Sequence, residues 1–118
     1  MYSKNMVTLI LIGLPVINHT LSKSVYDDLT QRIVMKYDFK GITETDIRKY
    51  IEDRLKLVKA APNIFEENSY VAIANCCDGS IRKLNLIIER ALTIGALEKV
   101  NTINSEIIMK ALNDISLV

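Results

Sequence analysis

The sequence predicts a mostly α-helical chain with a small α/β part: two strands of a parallel sheet near the N-terminus, then a four-helix module. Three observations predict it. A continuous apolar run with β-branched residues, MVTLILIGLP (6–15), stands near the start. A second, alternating run, QRIVMKYDF (31–39), follows a short helical stretch. From Lys40-Gly41 onward apolar residues recur at helical spacing. At 118 residues the chain is one domain or a piece of a larger one. With 49% hydrophobic and 25% charged residues it buries a core rather than staying disordered.

The run at 6–15 ends in Gly-Leu-Pro and reads as a strand buried on both faces, as in a parallel sheet. PVINHTLSKSVYDDLT reads as one or two short helices. In the second run Ile33, Met35 and Tyr37 alternate against Val34 and Lys36. Strand, helix and strand fit a βαβ crossover. The α/β part is placed at 1–41 and the helical module at 42–118.

Thr43 and Asp46 form a capping-box pattern at the start of TETDIRKYIEDRLKLVKAA. Ile47, Tyr50, Ile51, Leu55 and Val58 supply its apolar face. Arg48 with Glu52, and Glu52 with Lys56, stand one turn apart on its solvent side, and Pro62 ends it. Asn63 with Glu66 starts a second helix, with Tyr70, Val71, Ala74 and Cys77 on one side. Asp78-Gly79 stops it, Gly79 suiting a left-handed cap. The third helix runs from about Ser80 to Lys99 with Ile81, Leu84, Ile87, Ile88, Ala91 and Leu92 inward. The fourth begins near Asn104 and turns Ile107, Ile108, Ala111, Leu112 and Ile115 inward.

Composition narrows the function. A net charge of +1 argues against binding nucleic acid by bulk charge. His19 is the single histidine, so no imidazole metal site is expected. Cys76 and Cys77 are adjacent and read as a buried, reduced pair of a cytoplasmic protein. The apolar run after Lys4 is too short for a membrane span, which takes about 20 residues, and no small-x-small cleavage site follows it. The sequon Asn18-His19-Thr20 therefore carries no glycan in this reading.

No phosphate loop of the form G-x-x-x-x-G-K-[ST] occurs, and no nucleophile stands with a histidine and an acid. Asp27-Asp28 read as a solvated face. Tyr26, Tyr37, Tyr50 and Tyr70 sit at core-compatible positions rather than on a stacking platform. The second and third helices of the module also read as a helix-turn-helix with Arg82, Lys83 and Arg90 towards DNA, although the third helix is apolar around most of its circumference. Two arginines stand out by position. Arg32 lies where a helix gives way to a strand. Arg82 opens the third helix of the module, at the end where the helix dipole disfavours a cation.

In this order the elements resemble the C-terminal part of an AAA+ ATPase, of the class that holds the general-secretion-pathway component A and the ATP-binding partners of transposases. LILIGLP occupies the place of a buried strand ending in a Gly-Gln-Pro-like turn, and TQRIVMKYDF that of a Gln-Arg-Ile-like segment before the last core strand. ETDIRKYIEDRL resembles the opening of the helical lid. Gly79-Ser80-Ile81-Arg82-Lys83-Leu84-Asn85 resembles the Gly-x-x-Arg-(Arg/Lys)-x-Asn segment of its third helix. The likeness covers nearly the whole chain.

The resemblance implies that Arg82, with Gly79 in its segment, contacts the nucleotide phosphates as the sensor 2 arginine. It implies that Arg32 is the catalytic arginine finger, offered to a neighbouring subunit's nucleotide. Leu14 stands at the sensor 1 place, where Gln is common, and Ile81 replaces the usual Pro. The phosphate loop and the metal-binding acids of this class would precede these residues. The parent is then an ATPase using ATP and Mg²⁺, acting in DNA transposition or a secretion-linked task. This chain alone, its C-terminal half, is expected neither to hydrolyse ATP nor to bind it tightly. The implied partners are a homo-oligomer or the missing N-terminal half and, through the parent, DNA or a transposase, with no membrane span. A strand that lies between the two retained ones in that class is absent here. Their apolar edges are therefore expected to pair directly or to dimerise the chain. The alternative function is a helical protein-interaction or helix-turn-helix-like DNA-binding module without nucleotide chemistry.

Overall fold

The computed structural model describes residues 4 and 6–116. In it the chain divides into two units, Met1–Phe39 and Lys40–Val118. The N-terminal unit contains helix α1 (Val16–Leu21), a 3₁₀ turn at Ser24–Tyr26 and helix α2 (Asp27–Thr30). The second unit contains α3 (Glu44–Leu57), α4 (Glu67–Cys76), α5 (Ile81–Leu97) and α6 (Ser105–Ser116).

The expected two-stranded parallel sheet is not there. Among the described residues no strand forms, and 6–14 and 33–40 have no regular secondary structure. The side chains assigned to a buried strand lie in the open: Ile12 is 92% exposed and Leu9 74%. Tyr26 and Tyr37 are exposed as well, against their expected place in a core. The physical reason is partnership. A strand is held by backbone bonds to neighbours, and an isolated pair of strands is marginal in water even when the side chains favour it. Periodicity registered the β character of these runs but not the absence of anything to pair with. The direct pairing expected between them does not occur. The short helices between them do form, and the Thr30 hydroxyl donates to the Leu21 carbonyl at 2.9 Å, tying α2 back to the end of α1.

The helical unit follows from its sequence more closely. Thr43 caps α3 as a full capping box: its Oγ1 accepts from the Asp46 N–H, and the Asp46 carboxylate accepts from the Thr43 N–H at 3.0 Å. Ile47, Ile51 and Leu55 face the core, as their spacing requires. α3 stops at Leu57, well before Pro62. Lys59 turns left-handed (φ 57°) and the Ala60 N–H bonds back to the Leu55 carbonyl at 2.9 Å, a Schellman closure. Val58 is thereby turned to solvent. The same closure ends α5, with Lys99 at φ 55° and the Val100 N–H on the Gly95 carbonyl.

α4 starts after Glu66, not at Asn63. The segment ahead of it pairs instead with the segment ahead of α6 in an isolated parallel bridge, Phe65 to Ile103. The Ile103 N–H donates to the Ile64 carbonyl at 2.7 Å and the Glu66 N–H to the Ile103 carbonyl at 2.9 Å. Side chains lock the junction: Asn68 Oδ1 accepts from the Ser105 N–H and Asn104 Oδ1 from the Ile107 N–H, both at the start of α6. The buried face of α4 is Ser69, Tyr70 and Ile73, continued by Cys77, while Val71 is half exposed. α5 buries Leu84, Ile87, Ala91 and Gly95, and α6 buries Ile107, Ile108 and Ala111. Ile81 and Leu92, expected inward, are each about two-fifths exposed.

Neither expected ion pair along α3 forms among the described residues: Lys56 lies 4.0 Å from Asp53 instead, and Arg48 reaches across to the next helix. Arg48 meets Glu67 with both guanidinium arms, one at 3.0 Å, and its plane lies 4.3 Å from the Tyr70 ring centre. This guanidinium holds the Glu67 carboxyl below its ordinary value. The two bonds from Thr43 do the same for Asp46. Both acids are depressed on folding, so each adds stability above the ordinary carboxylate range that is lost as pH falls through its lowered value. The urea midpoint of the chain should hold steady from about pH 7 to about pH 5 and fall below about pH 4. Glu67→Gln should flatten that acid limb, because the variant has one fewer proton to take up. Both acids are exposed, so the effect is a slope, not a collapse.

Candidate functional site

The segment Gly79–Asn85 leads from the end of α4 into the first turn of α5, and most of its residues have an assignable task. Asp78 and Gly79 both take left-handed backbone, φ 52° and 72°. That reversal turns the Gly79 carbonyl towards Ile42, whose N–H donates to it at 3.1 Å. The approach is backbone to backbone. Gly41, at φ 92°, has no room for a Cβ, which would stand 2.6 Å from the Gly79 oxygen. The segment leading into α3 is thus pinned to the turn that starts α5.

Ser80 caps α5, its Oγ accepting from the Lys83 N–H at 3.2 Å. The Lys83 ammonium reaches back to Asp78 Oδ2 at 2.6 Å, and this hydrogen bond raises its pKa. Leu84 is fully buried. Asn85 Oδ1 accepts from the Tyr50 hydroxyl at 2.8 Å and so ties α5 to α3. Ile81, the first residue of α5, is about two-fifths exposed. Arg82 alone is left over. It is exposed, and among the described residues it forms no ion pair and no side-chain hydrogen bond.

A guanidinium in the first turn of a helix lies against the positive end of the dipole, at a cost of about 0.3–1 kcal/mol. Among the described residues no carboxylate pairs with Arg82, and the one at this helix start, Asp78, is held by Lys83. The same geometry suits an anion: helix-end N–H groups, the dipole and a planar five-donor fork all attract one.

Gly79 and Arg82 are brought together by this turn. Arg32 belongs to the N-terminal unit, just after α2, where it is exposed and its own N–H donates to the Leu29 carbonyl at 3.1 Å. Of the three cations considered for a DNA groove, Lys83 is paired with Asp78, and Arg90 with Asp114 at 3.1 Å. That leaves Arg82 alone, which does not make a groove-reading helix face. An open groove of about 420 Å³ lies between α3 and α4, lined by Arg48, Glu52, Phe65, Glu67 and Tyr70 among others. Arg82 is not part of its lining, and the groove's own arginine is consumed by Glu67.

Sequence reasoning missed Gly41, the Tyr50–Asn85 bond and the Arg48–Glu67–Tyr70 stack. Only Gly41 carried a signal, since a glycine two residues ahead of a capping box invites the question of what approaches it.

Among the described residues no group of His, Cys, Asp or Glu side chains could hold a metal ion. No helix there is long and apolar enough to cross a membrane. Comparison with known proteins finds a distant similarity. The chain is 28% identical over 89 residues to General secretion pathway protein A of Aeromonas hydrophila. The match covers 75% of this chain and 16% of that protein, so the chain spans about a sixth of the length of the curated relative it matches. No family model matches the chain, and no solved structure matches it.

Proposed function

We propose that the helical unit is the lid of an AAA+ type nucleotide-binding protein, and that Arg82 is its contact to phosphates cradled outside these residues. The observation that carries this is the unspent guanidinium. In a segment where Gly79, Ser80, Lys83, Leu84 and Asn85 each hold the bundle together, Arg82 has no side-chain partner among the described residues and stands at an anion-attracting helix end. Its place supports the same reading. The Ile42–Gly79 bond puts the start of α5 at the end of the unit where the preceding chain joins. A lid that reports on nucleotide needs its arginine there.

Within the helical unit the residues present fit one phosphate contact, Arg82. No phosphate loop occurs in the sequence, so ATP and Mg²⁺ would be held by other residues, and the chain alone does not hydrolyse ATP. When bound, the nucleotide supplies the polyphosphate charge. Arg82 orients it through bidentate hydrogen bonds, and Arg32 of one subunit acts on the nucleotide of its neighbour. The similarity to a protein named for general secretion supports a secretion-linked parent ahead of a transposition one.

The reading is tested by exchange. This chain replaces the matching segment of the Aeromonas hydrophila protein, and ATP hydrolysis is measured. Arg82→Ala should lower the rate about 10²–10³-fold, the loss typical of one aligned donor to developing charge. Lys83→Ala should leave it within about twofold, because that ammonium is spent on Asp78. Equal loss from both variants, or none from Arg82→Ala, would overturn the assignment. Arg32→Ala should be rescued by mixing with subunits that keep Arg32 but lack a working phosphate site.

A further inference from the structure

We infer that the groove beside α3 takes an extended segment of a partner protein, with a lysine or arginine side chain on Glu52 and an apolar side chain one helical turn further along. The inference goes beyond the lid reading and does not depend on it, since Arg82 lines neither part of the groove. The two parts share Glu52 and Pro62. The larger, about 420 Å³, has the buried rings of Phe65 and Tyr70 in its wall. It sets three carboxylates, Glu52, Glu66 and Glu67, against one guanidinium, Arg48. The smaller, about 180 Å³, is mainly apolar and lies among Leu55, Ala60 and Pro62, beside Lys56.

Two groups of the larger part are unspent. Glu66 accepts from the Thr102 hydroxyl at 2.8 Å, and Glu67 is taken by both arms of Arg48. Glu52 is half-buried, yet among the described residues it has no ion pair and no side-chain hydrogen bond. Tyr70 is 4% exposed, and its hydroxyl likewise has no hydrogen-bond partner there. Since no enclosed polar side-chain atom of the described residues lacks a partner, that hydroxyl opens to the groove it lines. Burial first, then the Glu52 charge, push the Tyr70 pKa up, so the phenol stays protonated beside the carboxylate. Both oxygens accept hydrogen bonds.

Charge selects the occupant. An acidic segment meets three carboxylates, and a purely apolar one covers Glu52 without pairing it. A cationic side chain satisfies both free acceptors and lays its stem against the rings. Spacing extends the choice to a peptide. Glu52 and Lys56 are one turn apart, about 5.4 Å along α3, and side chains two apart on an extended chain stand about 6.5 Å apart on one face. A free polyamine carries the charge but has nothing for the apolar part.

The test is fluorescence anisotropy with the full chain and a labelled peptide, Leu-Ser-Arg-Ser-Leu between Gly-Ser flanks, whose two leucines serve either chain direction. It should bind saturably at or below about 1 mM. Replacing its arginine, or both leucines, by alanine should weaken binding about tenfold. Glu52→Gln should weaken it about tenfold and Tyr70→Phe about threefold, each with the urea midpoint little changed. Glu44→Gln makes the same charge change about two turns earlier on α3, outside the groove, and should stay within about twofold. No saturable binding up to about 1 mM overturns the inference. Equal losses from Glu44→Gln and Glu52→Gln overturn it too, since they assign the binding to bulk charge. Spermine bound as tightly as the peptide overturns it equally, because the apolar part then contributes nothing.

Discussion

Gly41→Ala should destabilise the helical unit by about 1.5–3.5 kcal/mol, read as a lowered urea midpoint with an unchanged denaturant slope. Two costs add. Gly41 sits at φ 92°, where a side chain is strained by about 1–2 kcal/mol. The new Cβ would also stand 2.6 Å from the Gly79 carbonyl oxygen, a backbone atom that cannot rotate away. Relief requires the two segments to part, and the Ile42–Gly79 hydrogen bond goes with them, at about 0.5–1.5 kcal/mol. A unit of this size holds roughly 4–12 kcal/mol in all, so the loss is a large share. Asparagine separates the two causes, because it tolerates left-handed backbone. Gly79→Asn should cost less than Gly79→Ala, since a Cβ there meets the Gly41 Cα at 3.3 Å and strain dominates. Gly41→Asn should recover little, since the clash remains. If Gly41→Ala is neutral, the two segments are not held together as described, and the placement of Arg82 at the lead-in end of the unit loses its support.

How far the sequence could be read follows from how local each feature is. Thr43 with Asp46, Gly79 as a left-handed stop and the inward residues of α5 and α6 depend on neighbours within a turn or two, and periodicity exposes them. Val58 was misread because a Schellman closure at Lys59 has no glycine to announce it; lysine bears the strain there because the helix must end before the chain turns back. Arg48 was given to Glu52 by spacing, but Glu67 on the next helix offers a two-armed bond that a one-turn neighbour cannot match. The largest misreading, the two strands, is of another kind. MVTLILIGLP and QRIVMKYDF have the composition of buried β structure, yet burial is a property of what surrounds a segment. The covering layer has to come from residues these runs do not contain. Arg82 was singled out for its awkward position at a helix start. What the sequence could not say is that its motif neighbours are all engaged inside the unit, which is what isolates it.

That isolation has a signature in stability. Leu84→Ala should cost about 2–5 kcal/mol, the range for deleting a fully buried leucine and leaving part of its volume empty. Leu84 projects from α5 into the core that also holds Ile73, Ile87 and Ile108, all fully buried, so the surroundings are close-packed and have little freedom to collapse. Arg82→Ala, two residues earlier on the same helix, should change stability by no more than about 1 kcal/mol, and in the stabilising direction, because it removes a cation from the positive end of the dipole and breaks no side-chain bond among the described residues. Two positions of one short segment would then differ by several kcal/mol, the larger value belonging to the residue that holds the unit together. A residue kept for packing loses stability when it is truncated; one kept for a ligand loses only binding. If Arg82→Ala unfolds the unit as Leu84→Ala does, the guanidinium has a structural partner after all, and the phosphate assignment falls with it.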